Sequence, residues 1–189
     1  VVDCGDVPGD LDDGAGNRSR IEAAVSGILE SGAVPMLLGG DDSVPIPFFS
    51  AYEGHHEFTV LQIDAHLDFV DERHGVTAGH GNPMRRAIEK NYVSGMTQLG
   101  IRNVSSTAKS GYDDARARGS DILSVRQVRK LGTEAVLDRI PENSRYYVTI
   151  DIDAFCPSIA AGTGTPSHGG FMYYDVLEIL QGLSSRGDV

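Results

Sequence analysis

Short apolar runs alternate with helix-like segments along the whole 189-residue chain, and this alternation limits the fold more than any other feature. Strands that alternate with helices build a mostly parallel sheet with helices packed on its faces. The length fits one domain, so we predict a single α/β domain over residues 1–189. The predicted strands cover residues 33–40, 58–64, 96–102, 121–125 and 145–153. The predicted helices cover residues 83–90, 111–119, 133–140 and 173–183, after a first helix that begins with a Ser19–Glu22 capping box and ends at Gly32.

The charge balance and the cysteine count narrow the possible partners and compartments. Asp and Glu number 27 against 16 Lys and Arg, a net charge of -11, which argues against nucleic acid or an anionic membrane as a partner. Cys4 and Cys156 are too few for a disulfide framework, so we expect a cytoplasmic protein. No apolar stretch approaches the roughly 20 residues that span a bilayer. Residues 1–10 contain neither the basic nor the apolar region of a signal peptide.

Three of the apolar runs end in acidic side chains. Parallel strands bring their carboxyl ends to one edge of the sheet, where ligands bind in α/β proteins. Carboxylates this close repel each other unless cations lie between them. An oxygen-rich set with an imidazole suits Mn²⁺ or a similar divalent ion, and so many ligands favour two metals over one. The side chains are Asp41 and Asp42 after the first run, Asp64, His66 and Asp68 after the second, and Asp151 and Asp153 after the last.

Each of these residues also has an ordinary structural interpretation. An Asp at a strand end is often a turn former or a helix N-cap, as Asp41 or Asp153 alone would be. A lone His beside a strand is more often a structural group than a ligand. One turn does not account for Asp64, His66 and Asp68 at strand spacing, together with a second Asp-x-Asp at another strand end. The full pattern therefore favours metal binding.

Four sequence blocks, taken in order, resemble the ureohydrolase family of agmatinase, arginase and related guanidino-hydrolysing enzymes. "LGGDDSVPIP" (38–47) is similar to the family's Gly-Gly-Asp-His-Ser block, and "QIDAHLDF" (62–69) matches its Asp-Ala-His-x-Asp block. "TIDIDAFCPSIAAGTGTPSHGG" (149–170) resembles its Asp-x-Asp and Gly-Thr-Gly-Thr-Pro block. "GHGNPMRRA" (79–87), together with "DCGDVPGD" (3–10), is similar to the agmatinase branch.

This resemblance implies an arginase-like three-layer fold and a site for two Mn²⁺ ions per subunit. It implies that a metal-bridging hydroxide attacks a small cationic guanidino substrate, with agmatine giving putrescine and urea. Asp68 and His80 are the implied catalytic residues, with His80 at a position credited with proton transfer in some relatives; a structural or solvent-exposed role for His80 is the alternative. Residues 162–165 would form a tight loop near the metals, and relatives commonly form trimers or hexamers. The implied metal ligands are Asp42, Asp64, His66, Asp68, Asp151 and Asp153.

The sequence departs from the family pattern in three places. Asp42 stands where the family has a neutral His, so either the site gains a negative charge or Asp42 points away from the metals. Cys156 replaces an Asp that orients a ligand, and we expect a small buried thiol there. The resemblance also implies that the domain is incomplete at its C-terminus, because relatives continue with further strands and an acidic residue that binds the guanidinium group. An open sheet edge would follow.

The sequence is also consistent with several other functions. A guanidino acid such as guanidinobutyrate, or arginine, could be the substrate instead of agmatine. A non-catalytic relative that binds metal would also be consistent with Asp42, Cys156 and the missing C-terminal part. A two-metal phosphoesterase is the weakest alternative, since it needs basic residues at the same edge. The adjacent pair Arg85 and Arg86 falls within a predicted helix.

Overall fold

The protein forms a four-stranded parallel sheet, which confirms the predicted α/β fold. A computed structural model describes residues 1–104, 106–142 and 145–189. The strand order is β3-β2-β1-β4, so β1 is central and β4 forms one edge of the sheet. All three strand pairs are parallel, and Gln62 of β1 lies directly opposite Gln98 of β2. The strands are β1 Phe58–Ile63, β2 Val93–Leu99, β3 Ser120–Leu123 and β4 Tyr146–Ile150.

Helices cover both faces of this sheet and give the expected three layers. One face of the sheet, represented by Leu61, Ile63 and Leu99, packs under the helices that follow β3 and the last helix of the chain. The other face, represented by Val60 and Met96, packs under the second, third and fourth helices. The helices are α1 Gly14–Glu30, α2 Pro45–Ser50, α3 Pro83–Ala87, α4 Lys109–Ala117, α5 Val125–Leu131, α6 Thr133–Leu137 and α7 Tyr173–Ser184, with a 3-10 turn at Ile152–Ala154.

The first helix begins before the predicted capping box, and that prediction is wrong. Asp13 is the N-cap, and its Oδ1 accepts a hydrogen bond of 2.8 Å from the backbone N–H of Gly16. The Ser19 hydroxyl instead donates to the Ala15 carbonyl from within the helix. Asp at the N-cap satisfies a free N–H at least as well as Ser does, so the earlier start is favourable.

The predicted strand at residues 33–40 is also wrong. Among the described residues no strand pairs with this segment, and its side chains alternate between two environments. Pro35 is buried and Leu37 packs against the cluster between α1 and α2, whereas Val34, Met36 and Leu38 are 76%, 75% and 85% exposed. The alternation of apolar residues is genuine, but without a neighbouring strand the segment has no backbone ladder to join.

Two short helices, α2 and α5, were not predicted from the sequence. α2 contains two prolines and only six residues, and α5 lies directly after β3. Ser124 caps α5: its Oγ accepts from the Gln127 backbone N–H, and Gln127 Oε1 accepts from the Ser124 backbone N–H, a complete capping box. In the described parts of the chain, no helix is long and apolar enough to cross a lipid bilayer.

Candidate metal centre

The segment after β1 carries the Asp-x-His-x-Asp motif on a turn, not on a continued strand. β1 ends at Ile63, and the Asp64 backbone N–H donates to the Leu99 carbonyl. The strand therefore does not continue through Asp64, His66 and Asp68. Asp68 has a φ of 47°, in the left-handed region, which turns the chain back toward the sheet. Its carbonyl accepts hydrogen bonds of 3.1 and 3.4 Å from the N–H groups of Met84 and Arg85, at the start of α3.

The segment after β4 reaches the same edge of the sheet. The Asp151 backbone N–H donates to the Ile63 carbonyl at 3.0 Å, which ties the two strand ends together. Asp151 Oδ1 accepts from the Asp153 N–H at 2.7 Å and so caps the 3-10 turn. Asp153 Oδ1 in turn accepts from the Ala65 N–H at 3.2 Å, across 88 residues of sequence. The carboxylates thus order the backbone as well as facing the site.

The side chains form two overlapping groups that could each hold a metal ion. Asp64, His66 and Asp153 make one group, and Asp42, Asp64 and Asp151 make the other. Within each group, one candidate ligand atom per residue lies within 4.8 Å of the others. His66 Nδ1 is 3.0 Å from Asp153 Oδ2 and 3.6 Å from Asp64 Oδ1. Asp64 belongs to both groups, which is the arrangement expected of a carboxylate that bridges two cations.

Asp68 belongs to neither group but adjoins them through Asp42. The Asp42 and Asp68 carboxyl groups lie close enough to interact, and each is also repelled by Asp64. Asp42 Oδ2 is buried, and no N–H or hydroxyl group in the described parts of the chain donates to it. A buried carboxylate oxygen without such a donor is costly. A divalent cation would satisfy this oxygen, and oxygen ligands with one imidazole suit an ion such as Mn²⁺, so the residues fit the metal.

The electrostatics of the cluster favour a cation. Burial, followed by repulsion from Asp64, raises the pKa of Asp42 and of Asp68 well above the usual range. Burial likewise raises the pKa of Asp64, and raises that of Asp151 to about 6. Positive charge among these groups would reverse the effect and hold all four carboxylates ionised.

His66 is the one imidazole in the cluster. Hydrogen bonds with Asp153 and then Asp64 raise its pKa to about 10. Burial alone would raise the pKa of Asp153, but its hydrogen bonds with His66 and Thr165 bring it below the usual value. A metal ion binds only the neutral imidazole, so it would displace a proton from His66.

Gln62 is a site residue that the sequence reasoning missed. It precedes Asp64 by two positions, on the same side of β1, and is 1% exposed. Its Nε2 donates to Asp64 Oδ2 at 2.8 Å and to Asp68 Oδ2 at 3.2 Å. A glutamine within the apolar run "TVLQI" was the available signal, because a buried amide requires partners.

The Gly-Thr-Gly-Thr loop, residues 162–165, lies beside the cluster as expected and contacts it through one side chain. Thr165 Oγ1 donates to Asp153 Oδ2 at 2.8 Å. Arg102, which the sequence reasoning also missed, holds the following residues in place. Its guanidinium donates to the carbonyls of Asp153 and Ser167, each at 2.7 Å, and to that of His168 at 3.0 Å.

His80 and Cys156, both singled out in the sequence, are more exposed than most of the carboxylate cluster. His80 is exposed, and within the described residues no contact joins it to the carboxylates. Cys156 is half-buried, so the expectation of a buried apolar thiol is wrong. Hydrogen bonds from Ser158, and from the backbone of Gly169 and Gly170, lower its pKa.

Comparison with known proteins places these features in a family context. A family model described as the arginase family matches residues 1–189. The chain is 34% identical to guanidinopropionase from Pseudomonas aeruginosa, over 97% of this chain and 59% of that protein. It is 31% identical to mitochondrial agmatinase from Gallus gallus, over 96% of this chain and 55% of that protein. The solved structure of proclavaminate amidino hydrolase from Streptomyces clavuligerus superposes with a TM-score of 0.88 at 31% identity, over 97% of this chain and 63% of that one. The chain thus spans between one half and two thirds of the length of these relatives.

Proposed function

The chain belongs to the arginase family, and on that premise we propose that it acts as a metal-dependent amidinohydrolase. The reaction is hydrolysis of a guanidino compound to urea and an amine. The observation that carries this proposal is the pair of ligand groups that share Asp64. Hydrolysis at a resonance-stabilised guanidinium carbon needs both an activated water and stabilisation of developing charge, and two adjacent cations would supply both.

Two Mn²⁺ ions per subunit are the proposed cofactors. His66 and Asp153 would hold one ion, Asp42 and Asp151 the other, and Asp64 both, with Asp68 completing the set. Bound in this way, the metals would supply the Lewis acidity that makes water nucleophilic near neutral pH.

The protein's own groups have separate tasks in this proposal. Asp68 is the first candidate to accept a proton near the reacting atoms, because its carboxylate, ionised when cations are bound, adjoins both ligand groups. His80 is the second candidate for proton transfer, and an exposed imidazole suits exchange with water. Thr165 orients Asp153 through its hydroxyl.

The proposed substrate is agmatine, with a guanidino acid as the alternative. The acidic chain favours a cationic compound, and the similarity to agmatinase supports the same choice. The similarity to guanidinopropionase favours the alternative at a comparable identity. The block at 79–87 does not separate the two, because its Asn82 side chain donates to the Val70 carbonyl and so serves the scaffold.

A screen for urea release tests the proposal. The purified protein is loaded with Mn²⁺ and assayed with agmatine, guanidinopropionate, guanidinobutyrate and arginine, with and without a chelator. We expect metal-dependent urea release from one of these compounds, lost in Asp64→Asn and kept in Asp113→Asn, which changes an exposed carboxylate on α4. No urea from any compound by a protein that binds Mn²⁺ tightly would contradict the catalytic proposal.

That last outcome would favour the second candidate, a relative that binds metal without turnover. The acidic side chain at position 42 supports it, because an additional carboxylate weakens the Lewis acidity of bound cations. A phosphoesterase is disfavoured by the two arginines of α3. Arg85 and Arg86 are both paired with Asp71 and Glu89, and Arg85 also with Asp114, so neither is free to meet a phosphate.

The cellular setting is proposed on the same basis. A cytoplasmic location follows from the low cysteine content, and a homo-oligomer, trimeric or hexameric, from the family resemblance. Gel filtration with light scattering on the Mn²⁺-loaded protein measures the oligomeric state, and a monomer at all concentrations would contradict it.

A further inference from the structure

We propose that a buried hydrogen-bond relay, running from Ser120 through Gln98 to Gln62, sets the positions of the Asp64 and Asp68 carboxylates. The three relay residues come from three adjacent strands, β3, β2 and β1, and all are buried. The inference rests on the proposed metal site, because its functional consequence is the affinity of that site for cations.

The links of the relay are hydrogen bonds of 2.6 to 3.2 Å. The Ser120 hydroxyl donates to Gln98 Oε1 at 2.6 Å. Gln98 Nε2 donates to Gln62 Oε1 at 2.6 Å and to the Leu67 carbonyl at 2.8 Å. Gln62 Nε2 then donates to Asp64 Oδ2 and Asp68 Oδ2, at 2.8 and 3.2 Å. The relay therefore ends on two candidate site residues.

The direction of the relay is fixed by groups that can only accept. A backbone carbonyl cannot donate, so Gln98 must turn its N–H₂ toward Leu67 and its oxygen toward Ser120. The Gln62 N–H₂ likewise faces two carboxyl groups and the His66 carbonyl. Every donor in the relay thus points toward the acidic cluster, and neither amide can flip without breaking several bonds.

Packing alone does not account for these residues. On this side of the sheet the row before Gln62 is apolar, with Phe58 and Val60, and the neighbouring Met96 precedes Gln98. A methionine or leucine in place of either glutamine would continue that row without a polar group to satisfy. The two buried amides interrupt an otherwise apolar layer, and the side chains that they position are those of Asp64 and Asp68.

The relay acts on the spacing of two carboxylates that repel each other. One amide that donates to both acids holds their side chains at a fixed separation on the turn that follows β1. Loss of the donor would let Asp64 and Asp68 move apart, and a cation would then have to reorder them. Ser120, Gln98 and Gln62 are accordingly positioning residues.

Variants that remove one link at a time test this inference. Gln62→Met and Gln98→Met keep the side-chain length, and Ser120→Ala removes only a hydroxyl. We expect Gln62→Met and Gln98→Met to weaken Mn²⁺ binding about 10- to 100-fold, and Ser120→Ala roughly 2- to 10-fold. The readout is the free Mn²⁺ signal in electron paramagnetic resonance titrations, with KM and kcat measured alongside.

Thr97→Val is the matched control. Thr97 is on the same strand as Gln98 and is fully buried, and its hydroxyl has no hydrogen-bond partner among the described residues. Removing that hydroxyl changes a buried polar group without touching the relay, so we expect unchanged Mn²⁺ affinity. If Thr97→Val weakens metal binding as much as Gln98→Met, general disturbance of β2 is the cause and the relay is overturned.

A double-mutant cycle distinguishes a relay from separate local effects. With Met at position 98, the Ser120 hydroxyl no longer communicates with Gln62, so adding Ser120→Ala should cause no further loss of affinity. Additive losses would overturn the relay, and so would single variants with the affinity of the parent. Ser120→Ala keeps the test valid if a glutamine variant does not fold.

A metal-free measurement separates this inference from the proposed function. The side-chain amide signals of Gln62 and Gln98, assigned by their loss in the Met variants, can be followed by nuclear magnetic resonance. We expect Ser120→Ala to shift the Gln62 amide signal, two strands away, and Thr97→Val to leave it in place. An unmoved Gln62 signal overturns the relay even if the protein releases urea, and a protein without urea release can still show the shift.

Discussion

Asp42 is the residue whose surroundings most need explanation. It follows the exposed Asp41, yet its own Oδ2 is buried, and it interacts with the acidic groups of Asp64 and Asp68. An imidazole that binds a metal at this position would be neutral and would add no repulsion to the group that includes Asp151. The side chain thus decides how many negative charges the second ligand group carries.

Replacing Asp42 with histidine should therefore improve the second metal position. We expect Asp42→His to bind more Mn²⁺ per chain than the parent, or to turn over faster, because a neutral ligand leaves the cation more Lewis-acidic. Metal content by elemental analysis and urea release measure the two quantities. Asp41→His changes the exposed neighbour and is the control. Parental metal content and turnover in Asp42→His would refute the prediction.

At this scale the sequence predicts residue types better than their roles. Asp64, Asp151 and Asp153 are recognisable because strand ends in a parallel sheet share one edge. Gln62 is not recognisable in the same way, since its role depends on Gln98, which lies 36 residues further along the chain. A contact of that kind follows from strand register, and the sequence does not fix the register before the sheet order is known.

Among the elements, the loop after the 3-10 turn depends most on a single side chain. Arg102 reaches from the end of β2 to carbonyls on both Asp153 and the 167–168 segment. A planar guanidinium can serve several carbonyls at once, and a lysine ammonium on a flexible stem cannot match that geometry. The loop and the metal centre are therefore joined through Arg102.

Arg102→Lys should loosen this loop. We expect the free energy of unfolding to fall by about 1–3 kcal/mol and the 162–168 segment to become more sensitive to protease. Urea denaturation and limited proteolysis with mass spectrometry measure the two effects. Arg118→Lys is the control, since Arg118 pairs only with Asp114 among the described contacts and lies at the end of α4. Equal stability of the two variants would contradict the prediction.

The strands with apolar cores were predictable, and the elements defined by their surroundings were not. The predicted strands over 58–64 and 145–153 correspond to β1 and β4, because β-branched and aromatic residues dominate them. The run at 33–40 has the same local signals, yet only Pro35 of its apolar residues is buried. Strand formation requires a partner, and no local pattern reports whether a partner is present.

Across the whole molecule, exposed apolar side chains occur at an edge strand of the sheet and on the segment 33–40 before α2. β4 is one of the two edge strands, and Ile150, its last residue, is 42% exposed. Val34, Met36 and Leu38 add three exposed side chains on one side of an extended segment. Exposed strand edges with apolar neighbours are sites of self-association.

A charge on this surface should reduce that self-association. We expect Leu38→Lys to raise the monomer fraction in sedimentation velocity at micromolar concentration, because a lysine resists burial between two copies. Leu131→Lys, which alters an exposed leucine at the end of α5, is the control. Indistinguishable sedimentation of parent and Leu38→Lys would show that this surface does not drive association.

Metal addition should stabilise the fold as a whole. A ligand at 100 times its dissociation constant adds about 2.7 kcal/mol, which for a chain of this size is a rise of about 5–10 °C in Tm. Differential scanning calorimetry with Mn²⁺ or a chelator measures the shift. Asp64→Asn should abolish it, since Asp64 belongs to both ligand groups. An equal shift in that variant would show that the ions bind elsewhere.

The pairing of β1 with β4 has a consequence for how the chain acquires its metal. The hydrogen bond from the Ala65 N–H to Asp153 Oδ1 spans 88 residues, so the ligands come together only after a distant part of the chain has returned to the central strand. Contacts of high sequence separation form late and slowly in folding. Metal binding should therefore follow the slow pairing of β1 with β4. In a refolding experiment, the rate of Mn²⁺ uptake would report the rate at which the sheet is completed.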